Sequence, residues 1–171
     1  MATPTVQPPN PLTWLIAPSL LAVAASVVLA TPIMVFRVSL PEPVWAMAPA
    51  FAWGVIRPSI LPSVALLVIG AFLDALWGGA LGLWPLSLLS LYGLVLAVRP
   101  ILSGQGFWSL FAWYVAACVA AFGVGALLTA FASGTMPSLI GLALQMLATA
   151  ALFPLAWGII SAFEDADVRF R

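Results

Sequence analysis

Histidine and lysine are absent from this sequence, cysteine occurs once as Cys118, and only five basic and five acidic residues are spread over 171 positions. Each absence excludes something. Intramembrane serine hydrolysis normally needs a base such as histidine, aspartyl chemistry needs two neighbouring carboxylates, and zinc sites draw on clusters of His, Cys, Asp and Glu. None of these sets is available: Glu42 is isolated, and Glu164, Asp165 and Asp167 crowd the C-terminal end, where a solvated helix end is the natural reading. The chain is therefore expected to be no enzyme and to carry no metal or cofactor. Zero net charge and the lack of an arginine run argue against nucleic acid as a partner. A lone cysteine forms no internal disulfide, and the neighbours Ala117, Val119 and Ala120 predict a packing role for Cys118.

What is present is apolar. Charged residues make up 6% of the chain and hydrophobic ones 64%, whereas soluble domains carry roughly a quarter charged residues. Long continuous runs predict an all-α, polytopic membrane protein and exclude the alternating pattern of a β-barrel. A proline-rich leader, residues 1–12, has no positive charge and so lacks the start of a signal peptide. A transmembrane domain over residues 13–163 is expected to follow, with a short tail over 164–171. Spans are predicted at about Trp14 to Phe36, Val44 to Ile56, Ser59 to Trp77, Leu83 to Val98, Phe107 to Ala130 and Ser138 to Phe163. The second covers only about 20 Å of a hydrocarbon core about 30 Å thick, so it reads either as a short span or as a re-entrant segment.

Arginine placement decides between them, because cytoplasmic loops accumulate basic residues. A spanning second segment puts Arg57, Arg99, Arg169 and Arg171 on one side and only Arg37 on the other. Six helices with both termini cytoplasmic are the resulting expectation. Arg57-Pro58-Ser59-Ile60-Leu61 is echoed by Arg99-Pro100-Ile101-Leu102, either as a trace of duplication or because arginine anchors and proline starts each next helix.

Asp74 is the one acidic or basic residue between Arg57 and Arg99, and an acid inside a span is usually paired or functional. It is expected to accept hydrogen bonds from the glycine-rich turn that follows or to meet Arg37, with an ion or ligand site as the other reading. Small residues four apart recur as Ala22, Ser26, Ala30, as Ala46, Ala50, Gly54 and as Ala117, Ala121, Gly125. Such stripes let helices approach closely, within this chain, against a partner helix or in self-association. Trp14, Trp45, Trp77, Trp84, Trp108 and Trp157 fall mostly near span ends, as in an interfacial aromatic belt.

Arg57, Pro58, Pro62, Gly70, Asp74, Gly78 and Gly82, followed by Tyr92, form a segment that resembles the MreD family of bacterial rod-shape-determining proteins. The resemblance is carried by about Val44 to Pro100, and the length and helix number fit throughout. It implies a non-catalytic inner-membrane scaffold of the cell-elongation complex, which helps control cell shape and lateral peptidoglycan synthesis. The implied partners are MreC and, through it, MreB, RodA and its penicillin-binding partner, in the lipid bilayer. MreD also looks similar in fold to the substrate-binding S-components of energy-coupling-factor vitamin transporters, which makes vitamin uptake the alternative. A vitamin pocket needs several convergent polar groups, and the last two helices offer little beyond Tyr114, Thr129, Gln145 and Thr149. A small channel or proton-coupled carrier built on Asp74 has only that one intramembrane acid.

Overall fold

The computed structural model describes the backbone of residues 11–29, 34–35, 38–39 and 42–168, with side chains for 14–28 and 42–162. The described elements are α1 (Pro11–Leu29), a two-residue ladder of β1 (Met34–Val35) and β2 (Val38–Ser39), then α2 (Met47–Ile56), α3 (Ile60–Trp77), α4 (Leu83–Leu102), α5 (Phe107–Ser133), α6 (Leu139–Ala150) and α7 (Phe153–Val168). The ladder is antiparallel, with Met34 opposite Ser39 and Val35 opposite Val38. Among the described residues, four stretches are long and apolar enough to cross a membrane: Ile60–Trp77, Leu83–Leu102, Phe107–Ser133 and Leu139–Ala162. The chain is a multi-pass helical membrane protein, and the apolar runs that predicted α3, α4 and α5 form those helices.

Two further apolar helices, Trp14–Val28 and Met47–Ile56, are shorter. The second of these is the core of the molecule. Every residue of α2 from Met47 to Gly54 is buried, as expected of a helix with no polar face. Helices α4 and α7 make its closest packing. Its ten residues rise only about 15 Å, less than the stretch expected from sequence. Gly54 lets α4 approach: a Cβ there would lie 2.5 Å from Cγ1 of Val95.

Proline explains three features of the helices. Pro18 lies inside α1 and has no N–H to give the carbonyl of Trp14, and that carbonyl instead accepts from the indole N–H of Trp53 on α2 at 3.2 Å. The Trp14 carbonyl thus pins α1 to the core helix. The predicted last span stands as one apolar stretch, Leu139–Ala162, with a turn where α6 ends at Ala150 and α7 restarts at Phe153. Pro154 is the cause, because it cannot donate to the Ala150 carbonyl and its ring crowds that position. By contrast, α4 runs through Pro100 to Leu102, two residues from the helix end, where the loss of one bond is tolerated. Pro58 precedes α3 whereas Pro100 lies within α4, so the two arginine-proline sequences occupy different structural positions. Helix α7 continues to Val168 and includes most of the expected tail.

Candidate functional site

Helix α3 ends at Gly78, whose φ of 64° is left-handed, and its N–H closes on the Asp74 carbonyl at 3.0 Å. Gly82, with φ of 91°, precedes α4 and has no side chain with which to cap it. Asp74 supplies that cap from the preceding helix. Its Oδ2 accepts from the Gly82 N–H at 2.6 Å and its Oδ1 from the Trp84 N–H at 3.0 Å. The carboxylate is 3% exposed, and it satisfies N–H groups that every helix start leaves open, where negative charge is also favoured by the helix dipole. The backbone-donor expectation for Asp74 is therefore met; Arg37 lies outside the described residues.

Gly70, Pro62 and Tyr92 of the segment are also spent on architecture. A Cβ at Gly70 would meet the backbone N of Pro85 and come within 2.5 Å of its Cα, so only glycine allows α3 and α4 to touch here. Pro62 is buried in the first turn of α3, where its missing N–H costs nothing. At the opposite end, the Tyr92 hydroxyl donates to the Ser59 carbonyl at 3.0 Å and accepts from the Ser59 N–H at 3.3 Å. Arg99 Nε donates to the Val55 carbonyl at 3.2 Å, and a second guanidinium nitrogen to the Ile56 carbonyl at 3.3 Å. Helix α4 thereby holds both the end of α2 and the link to α3, while Arg57 and Pro58 are exposed beside it. Sequence reasoning missed this use of Arg99. A cation near a helix C-terminus was the available signal, but the helix it serves lies more than forty residues earlier.

Polar residues of the last spans behave similarly. Thr149 Oγ1 accepts from the Val44 N–H at 3.0 Å and donates to the Gln145 carbonyl at 2.8 Å, and Tyr114 donates to the Thr149 carbonyl at 3.0 Å. Gln145 donates to the Glu42 carbonyl at 3.1 Å. These bonds dock the segment leading into α2 onto α5 and α6. Tyr114 also packs edge-on against Phe51 at 5.3 Å.

Two cavities among the described residues bear on function. One is an apolar groove of about 490 Å³ between α1, α2 and α7, bordered by small residues including Ala17, Ala22, Ala48 and Gly158. The other, about 570 Å³, is a cleft beside the Asp74 turn, lined from α3 to α6 by residues including Trp77, Trp84, Ser87, Phe122, Thr129 and Gln145. No group of three or more His, Cys, Asp or Glu side chains lies together among the described residues.

No family model, curated protein or solved structure matches this chain.

The small-residue stripes need correction. Ala46, Ala50 and Gly54 are wholly enclosed within the bundle, as are Ala117 and Ala121, while Gly125 sits against Ser87 of α4. They serve this chain's own packing and present nothing to a partner. Ala22 and Ser26 are likewise 2% exposed, with Ser26 bonded back to the Ala22 carbonyl at 2.8 Å; Ala30 lies outside the described residues. The surface is bulky instead, with Leu20, Val28, Val64, Val68, Leu127 and Leu147 all exposed, as a lipid-facing surface requires. Of the expected aromatic belt, Trp108 is 78% exposed, whereas Trp14 and Trp84 belong to the core. Cys118 is buried and free, consistent with packing.

Proposed function

We propose that the chain is a non-catalytic membrane scaffold of the bacterial cell-elongation complex, resembling MreD, that acts through contacts with MreC and, through it, with MreB, RodA and its penicillin-binding partner. One observation carries this reading. In the segment that bears the resemblance, Gly70, Asp74, Gly78, Gly82 and Tyr92 all shape this chain's own backbone and helix contacts. None of them is left over for chemistry. The proposed topology is six crossings of the inner membrane with both termini cytoplasmic and a fold like that of the S-components, in which α1 and the short α2 cross together with their flanking residues.

The groove between α1, α2 and α7 is the proposed seat for a transmembrane helix of MreC, since Ala17, Gly158 and Ala162 along it are small and exposed and so permit close backbone approach. Gly158 offers a clean test. A Cβ there would meet nothing within 4 Å, so Gly158→Leu is expected to fill the groove while leaving the fold inserted. Detergent co-purification with MreC should fall for Gly158→Leu and persist for wild type, and depletion should turn rods into rounded cells. Absence of any association between wild type and elongation proteins, with normal cell shape on depletion, would overturn the scaffold reading. Vitamin uptake is the second reading, favoured by the cleft beside the Asp74 turn, although Tyr114 and Thr149 are already engaged in backbone bonds. Thermal stabilisation by candidate vitamins would support it.

A further inference from the structure

Of the segment that resembles MreD, Arg57 and Pro58 stay exposed, and the Arg57 guanidinium has no hydrogen bond or ion pair among the described residues. Arg99 stands beside it. Its Nε and one terminal nitrogen donate to the carbonyls of Val55 and Ile56 at 3.2 and 3.3 Å, and the Ile56 carbonyl belongs to the peptide bond that Arg57 completes. These bonds use two of the five N–H groups of a guanidinium, so three remain unspent among the described residues. Helix α3 starts at Ile60, α4 ends at Leu102, and the two pack along each other across a short turn. Both arginines therefore lie at one end of the bundle.

The described carboxylates are at the other end. Asp74 belongs to the last turn of α3, and Glu42 lines the cleft beside that turn, so neither offsets the arginine pair. Like charges held together repel, and one anion placed against both relieves the repulsion. The planar fork of a guanidinium matches phosphate in particular. Aliphatic side chains continue outward from the pair: Ile60, Leu61 and Ile101 are 77%, 50% and 56% exposed, and each follows one of the arginines by no more than four residues. A soluble phosphate gains nothing from that apolar border. A phospholipid, whose chains run on from its headgroup into the bilayer, meets both the charges and the border at once.

We propose that Arg57 and Arg99 together hold the phosphate of an anionic phospholipid, with its acyl chains lying against Ile60, Leu61 and Ile101. The site depends neither on the scaffold reading nor on which side of the membrane this end faces. The test is native mass spectrometry of the full chain with dioleoylphosphatidylglycerol and with dioleoylphosphatidylcholine, which share acyl chains and a phosphate and differ in net charge. Wild type should bind the anionic lipid about 25-fold more tightly, about fivefold for each arginine. Arg57→Gln, at an exposed residue, should cut that preference about fivefold without lowering the thermal stability of the lipid-free protein. Replacing Arg37, Arg169 and Arg171 together by glutamine should leave the preference within about twofold of wild type, and sn-glycerol 3-phosphate, a headgroup without chains, should not displace the bound lipid. Equal binding of the two lipids by wild type would overturn the proposal, and is the result expected if the carboxylates of Glu164, Asp165 and Asp167 already neutralise the pair. A preference that survives Arg57→Gln intact, one that vanishes with the other three arginines, or displacement by glycerol 3-phosphate would overturn it as well.

Discussion

Replacing Asp74 with asparagine would pull apart the two jobs of its carboxylate. Oδ2 serves the Gly82 N–H and Oδ1 the Trp84 N–H, and an asparagine has only one oxygen. Its amide nitrogen, turned toward the remaining N–H, sets donor against donor. The variant therefore loses one charge-assisted bond and strands a buried N–H, a cost of about 1.5–3 kcal/mol. Asp74→Ala loses both, about 3–6 kcal/mol, a large share of the roughly 5–15 kcal/mol by which proteins are stable. At about 2–4 °C per kcal/mol for a chain of this size, Asp74→Asn should lower the unfolding midpoint in detergent by about 3–12 °C and Asp74→Ala by twice that. An asparagine variant as stable as wild type would show that the second oxygen contributes nothing. Equal losses in both variants would show that the charge, and not the pair of acceptors, holds the turn.

Gly70→Ala should lower the yield of folded monomer in size-exclusion chromatography, with a cost of about 1–3 kcal/mol, because the new Cβ meets the Pro85 backbone. Gly93→Ala, with nothing within 4 Å of its Cβ, should be neutral or slightly stabilising in the same assay. Tyr92→Phe removes both bonds to Ser59 and should cost about 1–3 kcal/mol in thermal unfolding. Arg99→Lys should destabilise as well, since an ammonium lacks the planar fork that reaches the Val55 and Ile56 carbonyls together. For topology, a reporter active only outside the cytoplasm should be silent when fused after Arg99 or Arg171 and active near Gly134; the reverse pattern would refute six crossings with internal termini.

Helices α3, α4 and α5 were legible because their signals are local: apolar runs closed by Gly78 and Gly134, both with left-handed φ. Asp74 was legible for the same reason, since its partners Gly82 and Trp84 follow within ten residues. Pro154 signals the turn between α6 and α7, while the apolar run through it remains one stretch long enough to cross. Burial was the harder quantity. A run such as Met47 to Gly54 is equally apolar whether lipid or protein surrounds it, so nothing in it separates a core helix from a docking stripe. The bonds from Arg99 to Val55, from Thr149 to Val44 and from Gln145 to Glu42 join residues far apart in the chain. No pattern read along the sequence reports such pairs.

The enclosure of α2 has a consequence for biogenesis. Its packing partners α4 and α7 are synthesised later, α7 nearly at the end of the chain, and the Val44 and Thr149 bond that anchors its approach closes only when α6 is made. Until then a ten-residue helix, too short to cross alone, must wait in lipid or at the membrane surface. The central helix is thus among the first made but is fully enclosed only when α7 arrives, and a chain cut before Phe153 would leave the α7-facing side of α2 uncovered.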